Sequence, residues 1–257
     1  MSPTFTRLVF PGVLAAALAS TVPSAARGAG AGGDLDAVRR RGVLRHLGIP
    51  YAGFVTGSGD GLDVEIVRLF AQRLGVRYEF VETDWPAAIP DLVGRRVSAK
   101  AADPATAPPS EVRGDLLATG LTVIPWRERA VAFSAPVFPT QVWLVARSDS
   151  PVQPIKPSGD VDEDIASVKA LLARRSVLGV ASTCLDPSLY QLERTEARVV
   201  LKKVRLDEVA PAIINGEGEL ALLDVADAMI ALQKWPGKIK IIGPVSRRQQ
   251  MAVAFRR

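Results

Sequence analysis

Two stretches of alternating strand and helix pattern, separated by a polar, proline-rich run, constrain this chain more than any other feature. In the first stretch Asp34 or Asp36 can cap a short helix ending at Gly42, and Val43 to Ile49 reads as a buried strand. The glycine-rich turn Gly57 to Gly61 follows. Val64, Val67, Phe70, Ala71 and Leu74 then recur at helical spacing, with Gly75 as the natural stop. Val76, Tyr78 and Phe80 alternate with polar residues as a strand does. This succession builds a parallel sheet with helices on its faces. Ser98 to Arg113, rich in Ala and Pro, reads as a surface loop, and Leu116 to Val123 and Gln141 to Ala146 read as strands.

Ser148 to Asp160 has the composition of a domain boundary. Beyond it the rhythm restarts. Ile165, Val168, Leu171 and Leu172 form a helix face, Val177 to Val180 a strand, Pro187 to Glu193 a helix and Arg198 to Val204 a strand. Leu206 to Ile214 reads as helix, Leu220 to Leu223 as strand, Ala226 to Gln233 as helix and Ile239 to Ile242 as strand. The expectation is two α/β lobes of similar size, 27–146 and 147–245, with 246–257 as a return segment whose strand-like part, Gln249 to Phe255, crosses back to the first lobe.

The start of the chain argues for a compartment. A short n-region ending in Arg7, an apolar run from Leu8 to Ala19, and Ser24 and Ala26 at cleavage spacing give residues 1–26 the layout of a signal peptide. The apolar run is short for a membrane span and is interrupted by Pro11 and Gly12, and no cysteine near the cleavage region is available for a lipid. Cys184 is the one cysteine and His46 the one histidine, so disulfides, thiolate metal sites and histidine-based triads have no residues to work with, and no metal or cofactor is expected. Formal net charge is +5, and +4 without Arg7. The basic residues are scattered, which argues against nucleic-acid binding.

The most specific stretch is GLTVIPWRERAVAFSAPVF, Gly120 to Phe138. It resembles the arginine-containing segment of the family-3 extracellular solute-binding proteins, periplasmic receptors for polar amino acids. GDGLDVEIVRLFAQRLGVRYEFVETDWPAAIPDL, LVARSDSPV and ALLDVADAMIAL are similar to further family segments, in family order, over most of the mature chain. The resemblance implies an α/β, two-lobed periplasmic-binding-protein fold of type II, each lobe a mostly parallel sheet flanked by helices, with the ligand cleft between the lobes.

It also implies roles. Arg127 falls on the arginine that pairs with the ligand carboxylate, a task suited to a planar guanidinium that stays charged when desolvated. Thr122 falls on the hydroxyl donor to the same carboxylate, and Gly120 lets backbone approach the ligand. Tyr51 and Trp85 fall where aromatic walls stand. Asp224 falls on the acid that receives the ligand ammonium and also suits a helix N-cap, whereas Asp227 and Arg129 read as exposed charges and Trp143 as a packing residue.

Departures from the family pattern concern the ligand. The loop VASTCLDPSLY, Val180 to Tyr190, lacks the family's glycine-containing pair; Ser182 and Thr183 are left as substitute donors beside the less polar Cys184 and Leu185. Gly48 stands where the family has an acid, the Ser98 to Arg113 loop is longer, and the family's terminal helix has no counterpart after Arg257. The expected function is a periplasmic, monomeric receptor that captures an amino acid or related small zwitterion or carboxylate for the inner-membrane permease of an ABC importer, without catalysis. The alternatives on the same fold are a dehydratase-type enzyme, for which Glu82 and Asp84 are the acids near Trp85, and a solute-sensing module.

Overall fold

The computed structural model describes residues 34–101 and 103–257, so the signal-peptide reading of 1–26 and the glycine-rich leader at 28–33 lie outside the described residues. The first lobe begins with α1 (Asp34–Arg41), β1 (Val43–Gly48), α2 (Leu62–Leu74), β2 (Arg77–Glu82) and α3 (Ala88–Val93). It continues with β3 (Leu116–Leu117), α4 (Pro125–Ala130) and β4 (Ala132–Phe133). Helix α2 buries Val64, Val67 and Ala71 and stops at Gly75, whose left-handed φ of 70° lets the next amide, Val76, reach back to the Ala71 carbonyl at 3.1 Å.

The chain crosses between lobes through β5 (Phe138–Thr140). The second lobe contains β6 (Val142–Arg147), α5 (Val161–Ala170), β7 (Ser176–Gly179), β8 (Arg198–Leu201), α6 (Val209–Ile214), β9 (Leu220–Asp224), α7 (Val225–Lys234) and β10 (Ile239–Pro244). It returns through β11 (Gln249–Met251), which pairs antiparallel with β5, and ends in β12 (Ala254–Phe255), which pairs with β3 and β4.

The two five-stranded sheets have the orders β2-β1-β3-β12-β4 and β10-β6-β9-β7-β8. In each, four strands run one way and one runs against them, β12 in the first and β6 in the second. β7 and β9 are buried along their whole length, which is why they read as apolar runs rather than alternating ones. Leu44 and Leu47 of β1 enter separate clusters of the first lobe. The cluster of the second lobe also takes in Tyr51, Phe54 and Met251, so the lobes are packed together along one edge of the cleft.

Three sequence expectations change. The strand Gln141 to Ala146, placed in the first lobe, pairs with β9 and β10 in the second sheet, so the crossing lies at β5 rather than at the proline-rich run. That run packs within the second lobe: Ile155 N–H bonds the Ile242 carbonyl at 2.9 Å and Val152 is buried. The segment read as a helix from Pro187 to Glu193 is two short 3-10 turns broken at Gln191, whose φ is 56°. Of the strand Leu116 to Val123 only Leu116–Leu117 pairs in a ladder, because the chain turns at Gly120.

Candidate functional site

Arg127 lies on α4, a six-residue helix that starts at Pro125, where the missing N–H costs nothing. The short helix turns Trp126, Arg127 and Ala130 inward and leaves Glu128 and Arg129 exposed. Arg127 is only 2% exposed. Its Nη1 donates to the Thr122 carbonyl at 2.9 Å, its Nε has no partner, and its guanidinium carbon lies 5.6 Å from the ring centres of both Trp85 and Trp126. Burial pulls its pKa below the usual arginine range, opposed by nearby Cys184, Tyr190 and Tyr51, none of them a carboxylate. A cation so placed, with donors unused, is costly until an anion reaches it.

The Thr122 hydroxyl is buried and likewise without a partner. Gly120 has its own amide in use. Its N–H donates to Asp63 Oδ2 at 2.5 Å, its φ is +61°, and a Cβ there would come within 2.5 Å of the Phe54 ring. The glycine therefore shapes the turn before Thr122 and has no amide left for a ligand.

From the second lobe, Asp224 ends β9 and caps α7, its Oδ1 accepting the Asp227 N–H at 3.1 Å. Its Oδ2 accepts the Tyr51 hydroxyl in a bond that joins the lobes, and the Cys184 thiol lies 3.9 Å from the same oxygen. Burial raises the Asp224 carboxyl, opposed by the Tyr51 and backbone hydrogen bonds. Asp227 is not the exposed first-turn charge the sequence implied. It is buried with Oδ2 unpartnered, and burial together with Asp224 pushes it well up. Cys184, between these groups, is pushed up to about 12, chiefly by burial, so it sits as a neutral thiol.

Tyr51 and Trp85 meet edge to face at 5.5 Å, and Tyr51 stacks on Phe54 at 5.9 Å. The substitute donors fare unequally. The Thr183 hydroxyl, against expectation, is used inside its own loop, donating to the Val180 carbonyl at 2.8 Å and accepting from Leu185 N–H at 3.0 Å. Ser182 has φ +63°, gives its N–H to Asp186 at 2.8 Å and keeps its exposed hydroxyl at the cleft.

A cavity of about 620 Å3 opens between the lobes, with Trp85, Ile89 and Trp126 on one side and Ser182, Lys203 and Arg205 on the other. Arg127, Thr122, Gly120, Tyr51 and Asp224 do not line it. They form a buried cluster, tied to the cavity by the two indoles that flank Arg127. Sequence reading missed three members of this surrounding. Tyr190 donates to the Cys184 carbonyl at 2.5 Å, and the Thr140 hydroxyl and Gln249 Oε1 are buried without partners on the paired crossing strands. The last two carry no sequence signal, since only the pairing of β5 with β11 brings them together.

A family model described as bacterial extracellular solute-binding proteins, family 3, matches residues 48–111. No curated protein matches the chain by sequence. Among solved structures, holo ArgBP from T. maritima is similar with a TM-score of 0.64 and 24% identity, covering 86% of this chain and 86% of that one. The arginine-bound, truncated form of the same protein gives 0.63 and 23%, covering 86% and 92%. The ancestral amino-acid-binding protein AncCDT-1, described as a precursor of cyclohexadienyl dehydratase, gives 0.63 and 19%, covering 88% and 86%. At these identities the likeness establishes the fold: two α/β lobes of the periplasmic-binding-protein kind.

Proposed function

We propose that this protein is a solute receptor that closes its two lobes on an amino acid or related small carboxylate. The observation that carries this reading is Arg127, a buried guanidinium with an unused Nε beside the unused hydroxyl of Thr122. A ligand carboxylate satisfies both with charge-assisted bonds. On the opposite lobe Asp227 Oδ2 is a buried acceptor without a partner, beside Asp224, whose oxygens already accept from Tyr51 and the Asp227 amide and have lone pairs left for an ammonium, and Tyr51 and Trp85 exclude water from the pair. Because the two ends of the ligand engage different lobes, binding favours the closed form by contacts that the open one lacks.

In this reading residues 1–26 direct export to the periplasm, the first lobe starts at about residue 27, and the loaded, monomeric receptor delivers its solute to an ABC permease in the inner membrane. Both lobes are joined by the paired β5 and β11 strands, which supports a hinge at that ladder. The protein binds without turnover: Glu82 and Asp84, the acids near Trp85, are exposed to solvent, and Asp84 is engaged by the Ala87 N–H at 2.8 Å rather than held as a buried general acid. The test is a thermal-shift panel of amino acids, di-acids and small peptides. A true ligand at 100 times its Kd adds about 2.7 kcal/mol of stability. Flat melting temperatures across the panel overturn the proposal.

A further inference from the structure

The interlobe cavity is walled chiefly by apolar side chains. Its first-lobe wall is Trp85, Ile89, Val97 and Trp126, faced by Val180 and Val204 of the second lobe. Of its basic groups Lys203 is exposed and the other two pair with carboxylates. Lys202 pairs with Glu217, and Arg205 pairs with Asp207 at 3.0 Å, both carboxylates lying outside the lining. The two acids that do line it, Asp84 and Glu208, are exposed and each accepts a backbone amide, from Ala87 at 2.8 Å and from Arg205 at 2.9 Å. No buried carboxylate lines this cavity. The indoles that would stack on a ligand cation already flank Arg127, so a second guanidinium would share those rings with a buried like charge.

Resting on the reading that Arg127 holds the ligand carboxylate, we infer that the cleft selects an amino acid or carboxylate with an aromatic or bulky aliphatic side chain and discriminates against a guanidinium side chain. An apolar side chain gains by leaving water for this wall, whereas a guanidinium loses hydration and meets only exposed, solvated carboxylates, each already holding a backbone amide. This separates the chain from the solved structure that carries arginine.

Titration calorimetry of the purified protein with L-phenylalanine, L-leucine, glycine and L-arginine tests the inference. Phenylalanine and leucine are expected to bind about tenfold more tightly than arginine, and more tightly than glycine. A Ser98→Asp variant, which adds a carboxylate on the exposed part of the lining, is expected to narrow the preference or turn it toward arginine. Arginine binding the unaltered protein as tightly as phenylalanine or leucine overturns the inference and leaves the receptor reading standing. An unchanged preference in Ser98→Asp counts against the cavity as its source. No binding by any of the four overturns the inference, and the receptor reading is then decided by the wider thermal-shift panel.

Discussion

The first-lobe face of the cleft and the second-lobe loop facing it handle their polar groups in opposite ways. On the first lobe, Arg127 Nε, the Thr122 hydroxyl and Asp63 Oδ1 are buried with nothing to bond. In the second-lobe loop Val180 to Tyr190, Thr183 closes the turn, Asp186 accepts from Ser182 and Ser188, and Tyr190 bonds the Cys184 carbonyl. Buried polar groups are ordinarily satisfied, so unsatisfied ones mark where a structure awaits a partner. The loop is a finished wall, and the unmet bonds lie on the first-lobe face and, on the second lobe, at Asp227 Oδ2 in the first turn of α7.

The largest expected effect is on the pH dependence of stability. Burial raises the Asp63 carboxyl from 3.8 to about 6, opposed by the Gly120 amide. A carboxyl whose pKa is higher folded than unfolded stabilises the fold while protonated, and this contribution is lost as pH rises from about 4 to about 6. His46, lowered by burial from 6.5 to about 4 while held by Tyr78 and the Ala118 carbonyl, works in the opposite sense over the same window. The informative quantity is therefore the difference between wild type and Asp63→Asn. In urea unfolding from pH 4 to pH 7 the variant is expected to gain up to about 3 kcal/mol relative to wild type. Parallel curves would show that Asp63 ionises freely.

Next in size is Arg127→Lys, expected to weaken ligand binding ~100-fold, because an ammonium cannot reproduce the guanidinium fork. Retained affinity would move the carboxylate elsewhere.

Two threonine variants then break the comparison directly. Thr183→Val strands the Leu185 amide and the Val180 carbonyl, and about 2 kcal/mol of stability is expected to go with them, read by denaturant unfolding. Thr122→Val removes a hydroxyl whose one polar neighbour is the weakly bonding Cys184 thiol, so stability is expected to hold while ligand affinity falls by about 1 kcal/mol in calorimetry. If the two variants behave alike, the contrast between the first-lobe face and the loop is lost.

Much of this was legible in the order of residues. Apolar spacing located α2, β1, β7 and β9, because period and burial follow from local geometry alone. The segment Gly120 to Phe138 singled out Arg127, and LALLD singled out Asp224 as a helix cap. Less legible was the membership of β6, since a strand's pattern shows that it is half or wholly buried but not which sheet it joins. Asp227 looked like an exposed first-turn charge because helical position gives a face and not what packs on it.

What the sequence determined by itself is the set of elements and the chemistry available to them: α/β lobes, one arginine in a specific setting, and a loop poor in glycine. Tertiary structure decided which groups were left unmet. Whether a hydroxyl at Thr122 or at Thr183 is free, or an amide at Gly120 already taken by Asp63 from 57 residues away, depends on distances between segments remote in the chain. Hydrogen bonds act over about 3 Å and are fixed only once the chain has closed on itself.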